Sequence, residues 1–129
     1  MVRKSFVHAA VALAFVSSGC NSGTGPSPLF RDFVVSVNGE SFVVRTSDPE
    51  TIRLAEENLL GRNNRFPAGR VQPGDGGFNA PWTWHLDPAG TRLVDTAIGT
   101  CSGSPSYVET HRTAFPTYCP WGARVVERR

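Results

Sequence analysis

Sulfur is scarce in this chain, with three cysteines and one methionine among 129 residues. Cys20, Cys101 and Cys119 include no CxxC pair, so neither a zinc ribbon nor a dithiol redox motif is readable. Gly74, Gly76 and Gly77 have no Lys-Ser or Lys-Thr after them and no strand-to-helix setting, which excludes a phosphate loop. A GxSxG nucleophile elbow is missing too. So is any internal repeat. The main apolar run, residues 6–16, falls well short of the about 20 residues needed to cross a hydrocarbon core, so it predicts no permanent transmembrane helix.

That run does fit another role. Arg3 and Lys4 precede it and Ser17-Ser18-Gly19-Cys20 follows it, giving the positive, apolar and small-residue regions of a secretory signal peptide over residues 1–19. The stretch Val16-Ser17-Ser18-Gly19-Cys20 resembles the bacterial lipoprotein box. Gly19 and Ser18 fit it, whereas Ser17 occupies the usual aliphatic place and Val16 stands one position earlier. The resemblance implies a diacylglycerol thioether on Cys20, which becomes the new N-terminus; ordinary secretion is the alternative. Residues 20–28 would then be the anchor cysteine and a tether whose Pro/Gly-rich sequence NSGTGPSP cannot bury a core. A single domain is expected over residues 29–129.

Charge of one sign is also lacking. The whole chain is +2, and loss of Arg3 and Lys4 leaves 11 basic against 11 acidic side chains. Without a basic excess, nothing draws phosphate backbones, so nucleic acid is not an expected partner. Removing Cys20 leaves Cys101 and Cys119 as an even pair in an oxidising compartment, the condition for one disulfide. A reactive thiol or a metal site would be the other uses of such a pair.

Residues 32–37 and 40–46 alternate apolar and polar around Asn38-Gly39, which predicts a β-hairpin. Its register puts Phe33, Val35 and Val37 on one face with Phe42 and Val44, and Asp32 opposite Arg45. Ser47-Asp48-Pro49-Glu50 reads as a capping box opening a helix that carries Ile52, Ala55, Leu59 and Leu60 and stops at Gly61, with its apolar face expected on the hairpin. A short strand is expected over residues 65–71, then a Gly/Pro-rich loop. Trp82, Trp84 and Leu86 alternate with Thr83 and His85 before Asp87-Pro88-Ala89-Gly90, a type I turn leading to a buried central strand at 92–101. Ser104-Pro105 opens a second helix bearing Tyr107, Val108, His111 and Phe115, and residues 123–128 close the chain as a strand. The expected class is α+β, mainly an antiparallel sheet of five to six strands with two helices, in the order β-β-α-β-β-β-α-β.

Chemistry-bearing residues are sparse. His85 and Asp87 project the same way from one strand end, as a metal site or His–carboxylate pair requires, yet the turn and the core explain both equally well. Glu109 and His111 sit about 200° apart on a helix and cannot easily share one ion. Ser102, Ser104 and Ser106 fit a loop and a helix cap better than a nucleophile. Trp82, Trp84 and Trp121, with Tyr107 and Tyr118, supply either a stacking platform or core.

The ordered set Phe42-Val43-Val44, Pro81-Trp82-Thr83-Trp84-His85-Leu86-Asp87-Pro88, Cys101, Pro105-Ser106-Tyr107-Val108-Glu109 and Cys119-Pro120-Trp121 resembles a family of small bacterial secreted or lipoprotein domains, similar to the N-terminal domain of a slime-mould calmodulin-binding protein. The resemblance spans about residues 32–127 and implies the fold and a cysteine bridge, with no catalytic mechanism to carry over. The family pattern has acidic residues where Gly99 and Ser102 stand here. Together these readings predict a non-enzymatic extracytoplasmic lipoprotein domain, without cofactor, held at the membrane by Cys20 and presenting a surface to a protein or envelope ligand. Trp82, Trp84, His85, Asp87 and Trp121 are the expected cleft residues. The alternatives are a carbohydrate or small-ligand module on Trp82, Trp84 and Trp121, and a metal-assisted hydrolase around His85 and Asp87.

Overall fold

A computed structural model describes residues 29–97 and 99–129. The leader, Cys20 and the tether lie outside the described residues. Strands β1 (Arg31–Val37) and β2 (Glu40–Thr46) form the expected hairpin. Asn38 and Gly39 both take positive φ, 52° and 77°, which is what the twist of a two-residue hairpin demands. The register pairs Phe33 with Val44 and Val35 with Phe42, and all four are buried. Asp32 faces Arg45 and accepts two hydrogen bonds from its guanidinium, at 2.7 and 2.9 Å.

Strand β7 (Arg124–Arg128) lies on the other side of β1, giving the antiparallel order β2-β1-β7. Its pairing shifts between Val34, opposite Glu127, and Val35, opposite Val125, so Val126 has no counterpart. The bulge lets Val125 enter the core while Val126 faces outward.

Helix α1 (Pro49–Leu59) starts one residue later than the capping-box reading. Proline holds the residue before it extended, so Asp48 (φ −72°, ψ 119°) is the cap, and its Oδ2 accepts hydrogen bonds from Thr51 N at 2.9 Å and Thr51 Oγ1 at 2.7 Å. The reciprocal Ser47–Glu50 cap is replaced by ion pairs of Arg53 with Glu50 and Glu57. The helix rests chiefly on β7 and the later strand β5 rather than on the hairpin, because β7 occupies the side of β1 where it docks. Buried Asn58 fastens it there: its Oδ1 accepts from Val125 N at 2.8 Å, and its Nδ2 donates to Asn63 Oδ1 and Arg65 O at 2.9 and 2.8 Å.

The second sheet is organised by β3 (Phe66–Pro73), which pairs in succession with β5 (Arg92–Val94), β6 (Thr117–Tyr118) and β4 (Trp84–Leu86). The Asp87–Gly90 turn forms as expected, with Gly90 N donating to Asp87 O at 3.2 Å. It does not close a hairpin, however, since β4 and β5 both pair with β3. The chain crosses over Gly69, where a Cβ would stand 2.7 Å from Thr91 Oγ1. The buried ten-residue strand expected at 92–101 is a three-residue edge strand, because Arg92 is exposed and pairing ends at Val94. Helix α2 (Pro105–Thr110) is also shorter than expected and passes through His111 into a 3₁₀ turn at Arg112–Ala114.

Two antiparallel sheets of three and four strands with two helices thus make an α+β fold. The unforeseen β6 gives seven strands among the described residues rather than five or six. One core lies between the layers. Phe42, Trp84 and Tyr118 meet there with ring centroids 5.5 Å apart in every pair, and Leu86, Val108, Phe115 and Val125 pack around them. Each such side chain contributes about 1.5–3 kcal/mol relative to exposure. Cys101 and Cys119 are disulfide-bonded at the edge of this core, with Cα atoms 5.1 Å apart and Cys119 N donating to Cys101 O at 2.7 Å. Among the described residues, no helix is long and apolar enough to cross a membrane.

Candidate functional site

The free edge of β2 explains much of the Trp82–Asp87 segment. An edge strand leaves unpaired backbone groups that must be covered. Asn79 Oδ1 accepts from Val43 N at 2.7 Å while its Nδ2 donates to Trp84 O at 2.7 Å, which joins the two sheets. Trp82 Nε1 donates to Ser41 O at 2.9 Å. The Glu40 carboxylate accepts from Ser106 N and Ser106 Oγ, both at 2.9 Å, and so caps α2 in place of Ser104. Thr83, between the tryptophans, is clamped by the Glu109 carboxylate, which accepts from its N and Oγ1 at 3.0 and 2.6 Å.

The five expected cleft residues therefore separate. Trp84 is fully buried, Trp82 is half-buried against the β2 edge, and Trp121 is 55% exposed. A three-tryptophan platform does not form. His85 donates from Nδ1 to Gly74 O at 2.8 Å; the carbonyl can only accept, which fixes the proton on Nδ1. Its ring meets Phe78 edge-on at 5.4 Å, and Gly76 packs so closely that a Cβ would lie 2.7 Å from the imidazole. Phe78 in turn lies under the Arg45 guanidinium at 4.7 Å. Asp87 is engaged by its turn, with Oδ1 accepting from Ala89 N at 3.0 Å. His111 stacks on Tyr107 at 4.0 Å, and Ser102 Oγ accepts from Trp121 N at 3.1 Å. Among the described residues, no three His, Cys, Asp or Glu side chains converge on a point.

Burial raises the Tyr118 hydroxyl well above its ordinary pKa, and the nearby Glu40 charge adds to the shift. This phenol stays protonated and donates to Gly103 O at 2.6 Å.

Trp121 is presented differently from the other two. It sits in a tight turn closed by Ala123 N donating to Pro120 O at 3.2 Å, with Gly122 at φ 75°. A side chain is strained at that φ, so glycine suits the corner. The turn begins one residue after the bridged Cys119, and the Ser102 bond pins Trp121 from the other side of the bridge. The indole borders an open groove of about 370 Å³ with Phe66, Asp95, Thr96 and Ala97. Those four were not singled out from the sequence. Reading residues 92–101 as one buried strand concealed that the chain leaves the sheet at Asp95 and opens this groove.

Residues 30–129 match the family model for the N-terminal domain of a calmodulin-binding protein, the family whose resemblance the sequence carries. The match covers most of the chain, which belongs to that family of small α+β domains. No curated protein and no solved structure matches it.

Proposed function

We propose that this is a non-enzymatic, extracytoplasmic binding domain, anchored by acylated Cys20, that meets a protein or envelope ligand through the face around Trp121. The observation that carries the reading is Trp121 itself. A large aromatic held 55% exposed on a turn fixed by a disulfide contributes little to the core, yet it is preorganised for contact. Aromatic anchors of this kind dominate binding energies. His85, Asp87 and Glu109 are spent on backbone hydrogen bonds, so the face offers recognition rather than chemistry. The disulfide accords with an oxidising compartment, and the Cys20 box supplies the anchor.

Two measurements test this. Intact mass of the membrane-extracted chain should show a diacylglycerol adduct on Cys20, and Cys20→Ser should move the protein to the soluble extracytoplasmic fraction. That unlipidated form should then sediment with isolated envelopes, and Trp121→Ala should abolish the sedimentation. Equal retention of the two forms would refute the assigned face.

A further inference from the structure

The chemistry of the groove narrows what it takes. Phe66 and Ala97 line it beside the Trp121 indole, and Asp95 and Thr96 bring a carboxylate and a hydroxyl. Arg65, the residue before Phe66, holds its guanidinium 3.8 Å from Asp95 Oδ2, with the two side chains 35% and 71% exposed. An exposed pair at that distance binds its members weakly, so acceptor and donor are both free to turn to a third group.

We infer that this groove binds a pyranose saccharide of the cell envelope, stacked on Trp121 with its hydroxyls on Asp95, Thr96 and Arg65. The inference rests on the proposed role of the Trp121 face. A pyranose has one C–H-rich face and a rim of hydroxyls, which matches an aromatic plane beside a carboxylate, a hydroxyl and a guanidinium. The groove of about 370 Å³ falls within the ~300–1,000 Å³ of small-ligand sites. A phosphate or other anion would meet the Asp95 charge, and a cation would meet that of Arg65. A neutral polyol is repelled by neither and uses both.

The test titrates the full-length Cys20→Ser chain, by calorimetry, with chitohexaose, cellohexaose, mannohexaose and peptide-free glycan strands. Vesicles of phosphatidylglycerol, with and without a diglucosyl lipid, separate a glycolipid headgroup from a free glycan. Saturable binding to at least one saccharide probe is expected. Trp121→Ala should weaken it roughly tenfold or more, Trp121→Phe should restore part of the loss, and Asp95→Asn and Arg65→Ala should each weaken it severalfold. Binding that ignores Trp121→Ala would overturn the inference, as would silence from every probe. If the probes are silent while envelope sedimentation still needs Trp121, the saccharide assignment alone fails. If sedimentation ignores Trp121 as well, the proposed binding face fails with it.

Discussion

The Asn79 side chain accepts the Val43 backbone N–H at 2.7 Å, so a loop residue completes the hydrogen bonding of an edge strand 36 positions away. Its Nδ2 donates to Trp84 O at 2.7 Å, and Asn79 is buried. Replacing it by alanine strands one backbone donor and one acceptor. Each orphan costs about 1–3 kcal/mol, so Asn79→Ala should lower stability by roughly 2–4 kcal/mol. Urea unfolding should show a lower midpoint with an unchanged slope. Asn79→Asp keeps the acceptor for Val43 but loses the donor to Trp84, and it should remain unstable.

Asn58 and Asn79 mark where local reading stops. The β1–β2 register was legible because Asn38-Gly39 and strict alternation fix which residues face each other. The Asp87–Gly90 turn was legible for a similar local reason. Asn58 and Asn79, by contrast, sit in a helix and a glycine-rich loop, and their partners Val125 and Val43 lie 67 and 36 positions away. No local pattern announces such a bond. The β4–β5 connection misled because two apolar segments flanking a good turn usually pair with each other; here β3 lies between them. Of the expected cleft residues, only Trp121 lies open enough to meet a ligand broadly, since Trp84 obeys the ordinary preference of a strand tryptophan for core.

The disulfide spans 18 positions between Cys101 and Cys119 and joins the start of the α2 segment to the Trp121 turn. By the chain-entropy estimate a loop of this size is worth about 3 kcal/mol. The Cys101→Ser/Cys119→Ser double variant should lose about that much. Alkylation should label neither residue in the native chain and both after denaturation with reductant. Free thiols at Cys101 and Cys119 in exported protein would sink this prediction.

Acid and alkali should act through different groups. Thr51 hydroxyl and amide donors hold the Asp48 carboxyl below its ordinary pKa, with Arg92 adding to the effect. A depressed folded pKa means that its stabilisation is present above the unfolded value, near pH 4, and is lost as pH falls through the folded value. Asp48→Asn should therefore flatten the acid limb of stability against pH. Tyr118 is the reverse case: its raised folded pKa keeps its stabilisation present below the unfolded value near pH 10 and loses it as pH climbs beyond. Tyr118→Phe should be less stable at neutral pH, having lost the bond to Gly103 O, and should show a weaker alkaline decline.

The three tryptophans differ enough in environment for solution spectroscopy to distinguish them. Trp84 is fully buried, and Trp82 is half-buried with its indole N–H bound to Ser41 O. Trp121 is 55% exposed, its backbone pinned by Ser102 Oγ while the ring borders the groove. An ionic quencher such as iodide reaches only exposed rings, so most quenchable emission should come from Trp121. Trp121→Phe should remove that component and shift the remaining emission to shorter wavelength. Its stability should stay within about 0.5 kcal/mol of the parent, as for an exposed side chain outside the core. A larger loss would mean that Trp121 braces the fold instead of facing a ligand.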